Sequence, residues 1–451
     1  MRLIKKKSDI LNLCVYTLSF AALIIVFLFA TTRFTNPHFG WDISAKVDKY
    51  RILFGLYVLL MPVLYFMKIK QRQVLLFILS LMFSTIMVGK LSFIVYLGSL
   101  FYYLLIYVKI RTFVKLLIGA IVYIVFVLQV IKSFQYYRPS YLYIYMFVTL
   151  FPMRYLLFFH YNSSTNFKKE PVLNYINYIF FPAYLLIHPF IIIMPKYSSF
   201  KNSFSYGKNY IASLKSGVIY FCKGLAILLV LMTVDYFIEN VFATSISRET
   251  VNDILSATYI IPYIWVISYI LSCGYIILGL MHGVGCRIKS PFGKFALPMN
   301  IVDFYGRFLR HFKDYIVSIF YFPVFLLTKS WNTYASISIS AIAAIMLAGI
   351  CHRVLGLGFQ FCSIMHYEGI DFVENSLELG LVQDGFFDKH LIIKIMYLLI
   401  LSFIFAIQLM YNHASNYGAG KLAWIKNTKD SLVSKFLQLL IAMIVVRCIF
   451  L

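Results

Sequence analysis

The sequence predicts an all-α fold, namely a polytopic integral membrane protein with about 11–13 transmembrane or re-entrant helices around a central passage. Hydrophobic residues make up 61% of the chain and charged residues only 13%, where a soluble protein carries about a quarter charged. What charge there is falls in short intervals between apolar runs of about 18 to 22 residues, each long enough at 1.5 Å per residue to cross hydrocarbon. With a mean hydropathy of +0.82, the chain lacks the charged exterior that a water-soluble enzyme of this length needs. The 44 Phe and 36 Tyr suit the headgroup level, where a ring has one apolar and one wet end.

A net charge of +24, from 41 Lys and Arg against 17 Asp and Glu, would point to nucleic acid in a soluble protein. In a polytopic chain it is what cytoplasmic loops facing an anionic leaflet carry, so no nucleic acid is expected as partner. The seven Cys lie mostly inside apolar runs and form no CxxC pair, which excludes a disulfide framework or a zinc site; no metal is expected.

The first apolar run, Leu11 to Thr31, follows Lys5-Lys6-Lys7 and has the length of a retained helix, with no small-residue cleavage site after it. Further spans are expected at Ile52 to Met67, Val74 to Val88, Leu91 to Val108, Leu116 to Ile131 and Tyr141 to His160. Basic residues mark every second loop, at Lys5 to Lys7, Lys68 to Arg72, Lys109 to Lys115 and Lys168-Lys169, which places the N-terminus in the cytoplasm. The run Tyr178 to Met194 breaks this alternation, because the next loop holds Lys196, Lys201, Lys208 and Lys215 with no acidic residue. Pro182 and Pro189 inside it disfavour an uninterrupted helix, and a re-entrant segment restores the alternation. Gly217 to Ile238, Ile254 to Gly283, Tyr334 to Cys351, His390 to Met410 and Leu437 to Leu451 complete the spans, whereas Ile316 to Leu327 is too short to cross. No repeat or linker interrupts residues 1–451, so a single membrane-embedded domain is expected.

Ionisable groups inside apolar runs cost about 2.5 to 3.5 kcal/mol each on insertion scales, so they face a cavity or a partner. Those in this chain are Arg154, His160, His188, Asp235, His282, Arg307, His311, His352, Arg353 and His366. His352 ends an apolar run, and Leu355-Gly356-Leu357-Gly358 loosens the helix just beyond it. An imidazole so placed suits proton transfer near neutral pH, although a histidine bonded to a carbonyl fits the same pattern. His366 lies 14 residues on, about 21 Å along an uninterrupted helix and nearly on the same face. Arg307 and Lys313, before an aromatic stretch, form either a juxtamembrane basic patch or a site for a phosphate-bearing group. GxSxG, Walker and HExxH motifs are absent, against a serine hydrolase, an ATP-driven pump or a zinc protease.

Over residues 140–370 the order of short motifs resembles the membrane-bound O-acyltransferase family, in its bacterial branch of alginate acetyltransferases and teichoic-acid D-alanyl transferases. The segments are Phe180-Phe181-Pro182 with His188-Pro189, Lys223-Gly224-Leu225 with Asp235, and Tyr269 with Gly274-Tyr275. They continue with Pro298, Asn300-Ile301, Asp303-Phe304-Tyr305 and Arg307-Phe308, then Lys313-Asp314-Tyr315 and Phe322-Pro323. His352 falls where the family has its defining membrane histidine, and His366 where a second histidine follows. The family's usual Trp-His-Gly reads Cys351-His352-Arg353 here, Leu271 stands for an acidic residue, and the Arg307 to Asp314 interval is about four residues short.

The resemblance implies an enzyme moving an acyl group, acetyl rather than amino-acyl, from a cytoplasmic thioester to a hydroxyl of a cell-surface glycan or polyol. His352 would be the general base and His366 would orient the acceptor, while Arg307 and Lys313 would bind the donor, acyl-CoA or an acyl-carrier protein. No tightly bound cofactor is implied; the expected partners are the bilayer, the donor, the acceptor, a carrier protein and an extracytoplasmic partner acyltransferase. The alternative is a glycan flippase or lipid-linked sugar transporter, although paired broken helices in two related halves are not visible. A glycan polymerase would carry a larger extracytoplasmic loop than any present here.

Overall fold

A computed structural model describes residues 2–33, 47–88, 91–134, 151–186, 193–204, 208–237, 260–293, 307 and 310–347, with 399–410 apart from 401 and 408. Nearly all of them are helical, and among the described residues there is no strand beyond one isolated bridge between Phe204 and Cys286. The chain divides into two compact units, Met1–Ser290 and Pro291–Leu451.

The first unit begins with α1 (Arg2–Arg33), α2 (Val47–Phe66), α3 (Ile69–Val88), α4 (Leu91–Tyr107) and α5 (Thr112–Phe134). On α1 the inward face is Leu13, Phe20 and Phe27, seven residues apart and at most 3% exposed. Leu11, Leu18 and Ile25, equally spaced, lie 65–70% open on the opposite face. A helix that is apolar on both its packed and its open side has lipid rather than water as its outer solvent. Among the described residues, three helices are long and apolar enough to cross a membrane, at Ser8–Ala30, Ile69–Ile86 and Asn209–Val234. Shorter apolar helices lie at Arg51–Phe66, Ser92–Tyr107, Thr112–Tyr123, Ser268–Gly283 and Thr333–Leu347. The sequence-based spans between residues 52 and 131 therefore fall on helices, whose ends lie at the basic intervals Lys68 to Arg72 and Lys109 to Lys115.

Several hydroxyl groups on these helices are satisfied locally. On α3, Ser80 donates to the Leu76 carbonyl at 2.9 Å, Ser84 to Ser80 at 2.7 Å and Thr85 to Leu81 at 2.8 Å, each one turn back, so these three hydroxyls are satisfied within the helix.

The chain then breaks into short pieces: α6 (Phe151–Ser164), α7 (Val172–Ile179), α8 (Pro182–Leu186) and α9 (Tyr197–Lys201). Asn166 and Phe167, both with φ above +50°, turn the chain out of α6; the Phe167 amide donates to the Asn162 carbonyl at 2.7 Å. Pro182 lacks an amide hydrogen and sits at the first position of α8, so α7 ends before it and Phe180-Phe181 form the joint.

Two long helices close the unit, α10 (Lys208–Phe237) and α11 (Ile260–Gly283), packed backbone against backbone. A methyl group added at Gly224 would lie 2.6 Å from the Ser272 carbonyl oxygen, and one at Gly279 would lie 2.8 Å from the Phe221 amide nitrogen. Ser272 uses this closeness to donate its hydroxyl to the Gly224 carbonyl at 2.7 Å. Small residues are how helices cohere where no water drives them together. Gly285, with φ +83°, ends α11 by turning the Cys286 amide back to the Met281 carbonyl at 2.9 Å.

In the second unit, α12 (Arg310–Ile316) runs through a π-helical turn, Val317–Tyr321, into α13 (Phe322–Thr328), and α14 follows at Thr333–Leu347. Pro323 accounts for the wide turn, since its ring would collide with the carbonyl four residues back and it offers that carbonyl no hydrogen. The Phe322 amide reaches five residues back, to Val317.

Candidate functional site

His352, Arg353 and His366 lie outside the described residues, as do His188, Pro189 and the block from Pro298 to Tyr305; the side chain of Asp235 is likewise outside them. Arg307 is half-buried, and its carbonyl accepts the Gly293 amide at 2.6 Å. Lys313 lies on α12 with its ammonium 3.9 Å from Asp314, at the outer limit of an ion pair between two partly exposed groups. Such a pair contributes little, so both side chains are open to another partner.

The remaining sequence candidates separate by surroundings. His160 is exposed at the end of α6. His282 is 3% exposed, with Nε2 2.8 Å from the Ile288 carbonyl and Tyr220 against its ring edge, which is the placement of a structural histidine. His311 is buried on α12.

Arg154 is the candidate with the most developed surroundings. It points inward from α6 at 1% exposure, an unusual place for a group that is always charged. Nη1 donates to the Ile179 carbonyl at 2.6 Å and Nη2 to the Ile193 carbonyl at 3.4 Å, so one side chain ties both flanks of the Phe180-Phe181-Pro182 joint. The guanidinium carbon stands 3.5 Å above the Tyr184 ring, a cation–π contact. Tyr178, beside it, donates its hydroxyl to the Pro195 carbonyl at 2.8 Å.

A second polar cluster forms around Glu170, which the sequence did not single out. Lys201 donates to its Oε1 at 2.8 Å, Tyr161 to the same oxygen at 3.3 Å and Tyr197 to Oε2 at 3.3 Å. The Glu170 amide donates to the Tyr107 hydroxyl at 3.0 Å, and its carbonyl accepts from Tyr103. Tyr107 in turn donates to Asn162 at 2.9 Å. The network joins α4, α6, α9 and the loop between α6 and α7, with every oxygen of Glu170 engaged.

The hydrogen bond to Glu170 holds the Lys201 ammonium above the ordinary lysine range, and burial pushes the Tyr197 phenol far above its usual value. A raised lysine value means stability that is present at neutral pH and lost only as pH climbs through the folded-state value, beyond the ordinary lysine range. Glu170→Gln keeps the shape but removes the charge, and is expected to cost about 1–2 kcal/mol. Thermal unfolding of the purified protein at pH 7 checks this, and an unchanged midpoint would mean that the network only decorates the fold.

Searched against models of known protein families, the sequence matches none, and no curated protein matches it either.

Proposed function

We propose that the protein is a membrane O-acyltransferase of the kind its motif order resembles, carrying an acyl group, preferentially acetyl, from a cytoplasmic thioester to a hydroxyl of a cell-surface glycan. The observation that carries this reading is the ordered series from Phe180-Phe181-Pro182 through Gly224 and Arg307 to His352. Two elements of that series have physical reasons to be what they are. Pro182 opens a helix after a joint that Arg154 holds from both flanks, and Gly224 lies where a side chain would collide with Ser272. A re-entrant reading of residues 178–194 accords with the helix ending at Ile179.

In this proposal the chain crosses the bilayer about 11–13 times around a passage, with its N-terminus in the cytoplasm. The reaction needs a base beside the acceptor and cationic groups at the donor. His352 takes the proton from the attacking hydroxyl as oxygen bonds to the acyl carbon, and the thiolate of the donor leaves with a proton regained from the medium. His366 lines the acceptor's path. Arg307 and Lys313 hold the phosphates of acyl-CoA or of a carrier protein's phosphopantetheine.

Mass spectrometry of surface polysaccharide from a deletion strain tests the reading. Loss of acetyl from an otherwise intact polymer is the expected result. Loss of D-alanine moves the protein to the other branch, and loss of the polymer itself points to the flippase or lipid-linked sugar transporter that is the rival reading.

A further inference from the structure

Arg154 poses an electrostatic problem that its carbonyl bonds do not solve. An ion moved from water into a protein interior costs several kcal/mol unless its charge is compensated, and carbonyl dipoles and a π face spread the charge without cancelling it. Among the described residues no carboxylate ion-pairs with Arg154; Glu170, the buried acid nearby in sequence, is occupied by Lys201, Tyr161 and Tyr197. Two donors in the same place are also unspent. Nε of Arg154 has no acceptor, and neither does the hydroxyl of Tyr184, the ring on which the guanidinium rests. Both side chains are 1% exposed, so water from outside does not serve them. A buried N–H and a buried O–H left bare each cost about 1–3 kcal/mol.

One positive charge and two adjacent idle donors specify the missing acceptor. It carries a single negative charge and accepts from two directions. It is also small, because Tyr178, Phe181 and Ile193 beside the two donors are fully buried. A dianion would exchange one excess charge for the opposite one.

We propose that Arg154 and Tyr184 form a binding site for a small monovalent anion, a carboxylate of formate or acetate size or a halide, bridging Nε–H of Arg154 and the Tyr184 hydroxyl. Occupancy neutralises the guanidinium while leaving its bonds to Ile179 and Ile193 intact, so the anion stiffens the joint between α7 and residues 193–196. The site is independent of the acyl-transfer reading and is tested by binding rather than turnover.

The test uses the full chain, purified in detergent in sodium gluconate, whose anion is too large to enter. Gluconate is exchanged for sodium acetate or sodium chloride at constant ionic strength, and the thermal unfolding midpoint is followed. A ligand that binds only the folded state raises the midpoint with saturation. The expected result is a saturable rise with acetate, chloride or both, and the arm that responds identifies the anion. In Tyr184→Phe the half-saturating concentration should rise about 3- to 10-fold, the loss of roughly one hydrogen bond. In Arg154→Gln the response should vanish. Tyr184→Phe removes only a hydroxyl without a partner, so it keeps the test decisive even if Arg154→Gln does not accumulate. A wild-type midpoint indifferent to both anions, or the same half-saturation in Tyr184→Phe as in the wild type, overturns the proposal.

Discussion

Replacing His352 by Ala lowers glycan acylation about 10²- to 10⁴-fold if its imidazole is the general base, while the protein remains inserted at normal abundance. The magnitude follows from the chemistry. A sugar hydroxyl is a poor nucleophile until its proton is taken, and the side chain whose ordinary pKa lies nearest neutrality serves best. In the sequence the apolar run ends at Cys351-His352-Arg353 with Gly356 and Gly358 beyond it, the pattern that leads the proposal to His352. The measurement is acetyl content of the polysaccharide in a strain carrying the variant, set against membrane abundance of the variant. Normal acetylation at normal abundance would remove His352 from the reaction. A fall in both would mark it as structural.

Gly224→Val should be strongly damaging. Its first added carbon would lie 2.6 Å from the Ser272 carbonyl oxygen, 2.7 Å from Ile276 Cγ1 and 2.9 Å from the Ile276 amide nitrogen. Two of those three atoms are backbone and cannot turn aside, so α10 and α11 must separate, which breaks the Ser272 hydrogen bond as well. Overpacking of this kind costs about 3 kcal/mol or more, enough to deplete the folded protein from membranes. Gly98→Ala on α4 is the matched control, since nothing lies within 4 Å of the added methyl, and it should stabilise by about 0.5–1 kcal/mol through the unfolded chain. Thermal unfolding and membrane yield of both variants decide the matter. Equal yields would mean that the two helices tolerate separation.

Much of the helical layout was readable from the chain itself, because lipid imposes a length and a polarity that local sequence must meet. Lys68 to Arg72 and Lys109 to Lys115 bracket helix ends, and Pro182 marks a true interruption. The sequence misjudged where charge goes. Arg72 has the sequence setting of a loop charge, yet it is fully buried, with Nε donating to the Met67 carbonyl at 3.1 Å and its guanidinium over Tyr210. Lys115 is likewise buried, against the Ile106 carbonyl and the Phe167 ring. Lys201 has no acid in its own stretch of sequence, and its acid is Glu170, 31 residues earlier. Such pairings are tertiary, and nothing local to Lys201 announces them. Tyr184 was invisible for a similar reason: one tyrosine among 36 gains meaning only when an arginine rests on its ring.

The two greasy sides of α1 separate two events that coincide in a soluble protein. Partition out of water is settled by the whole circumference of the segment, so Leu18 and Ile25 count toward it as much as Phe20 does. Assembly comes afterwards and depends on the packed side, Leu13, Phe20, Ile24, Phe27 and Ala30, where side chains meet protein neighbours instead of lipid tails. A polar residue on either side would therefore hinder entry into the bilayer, whereas an apolar change of shape on the packed side would leave the segment threaded but unaccompanied.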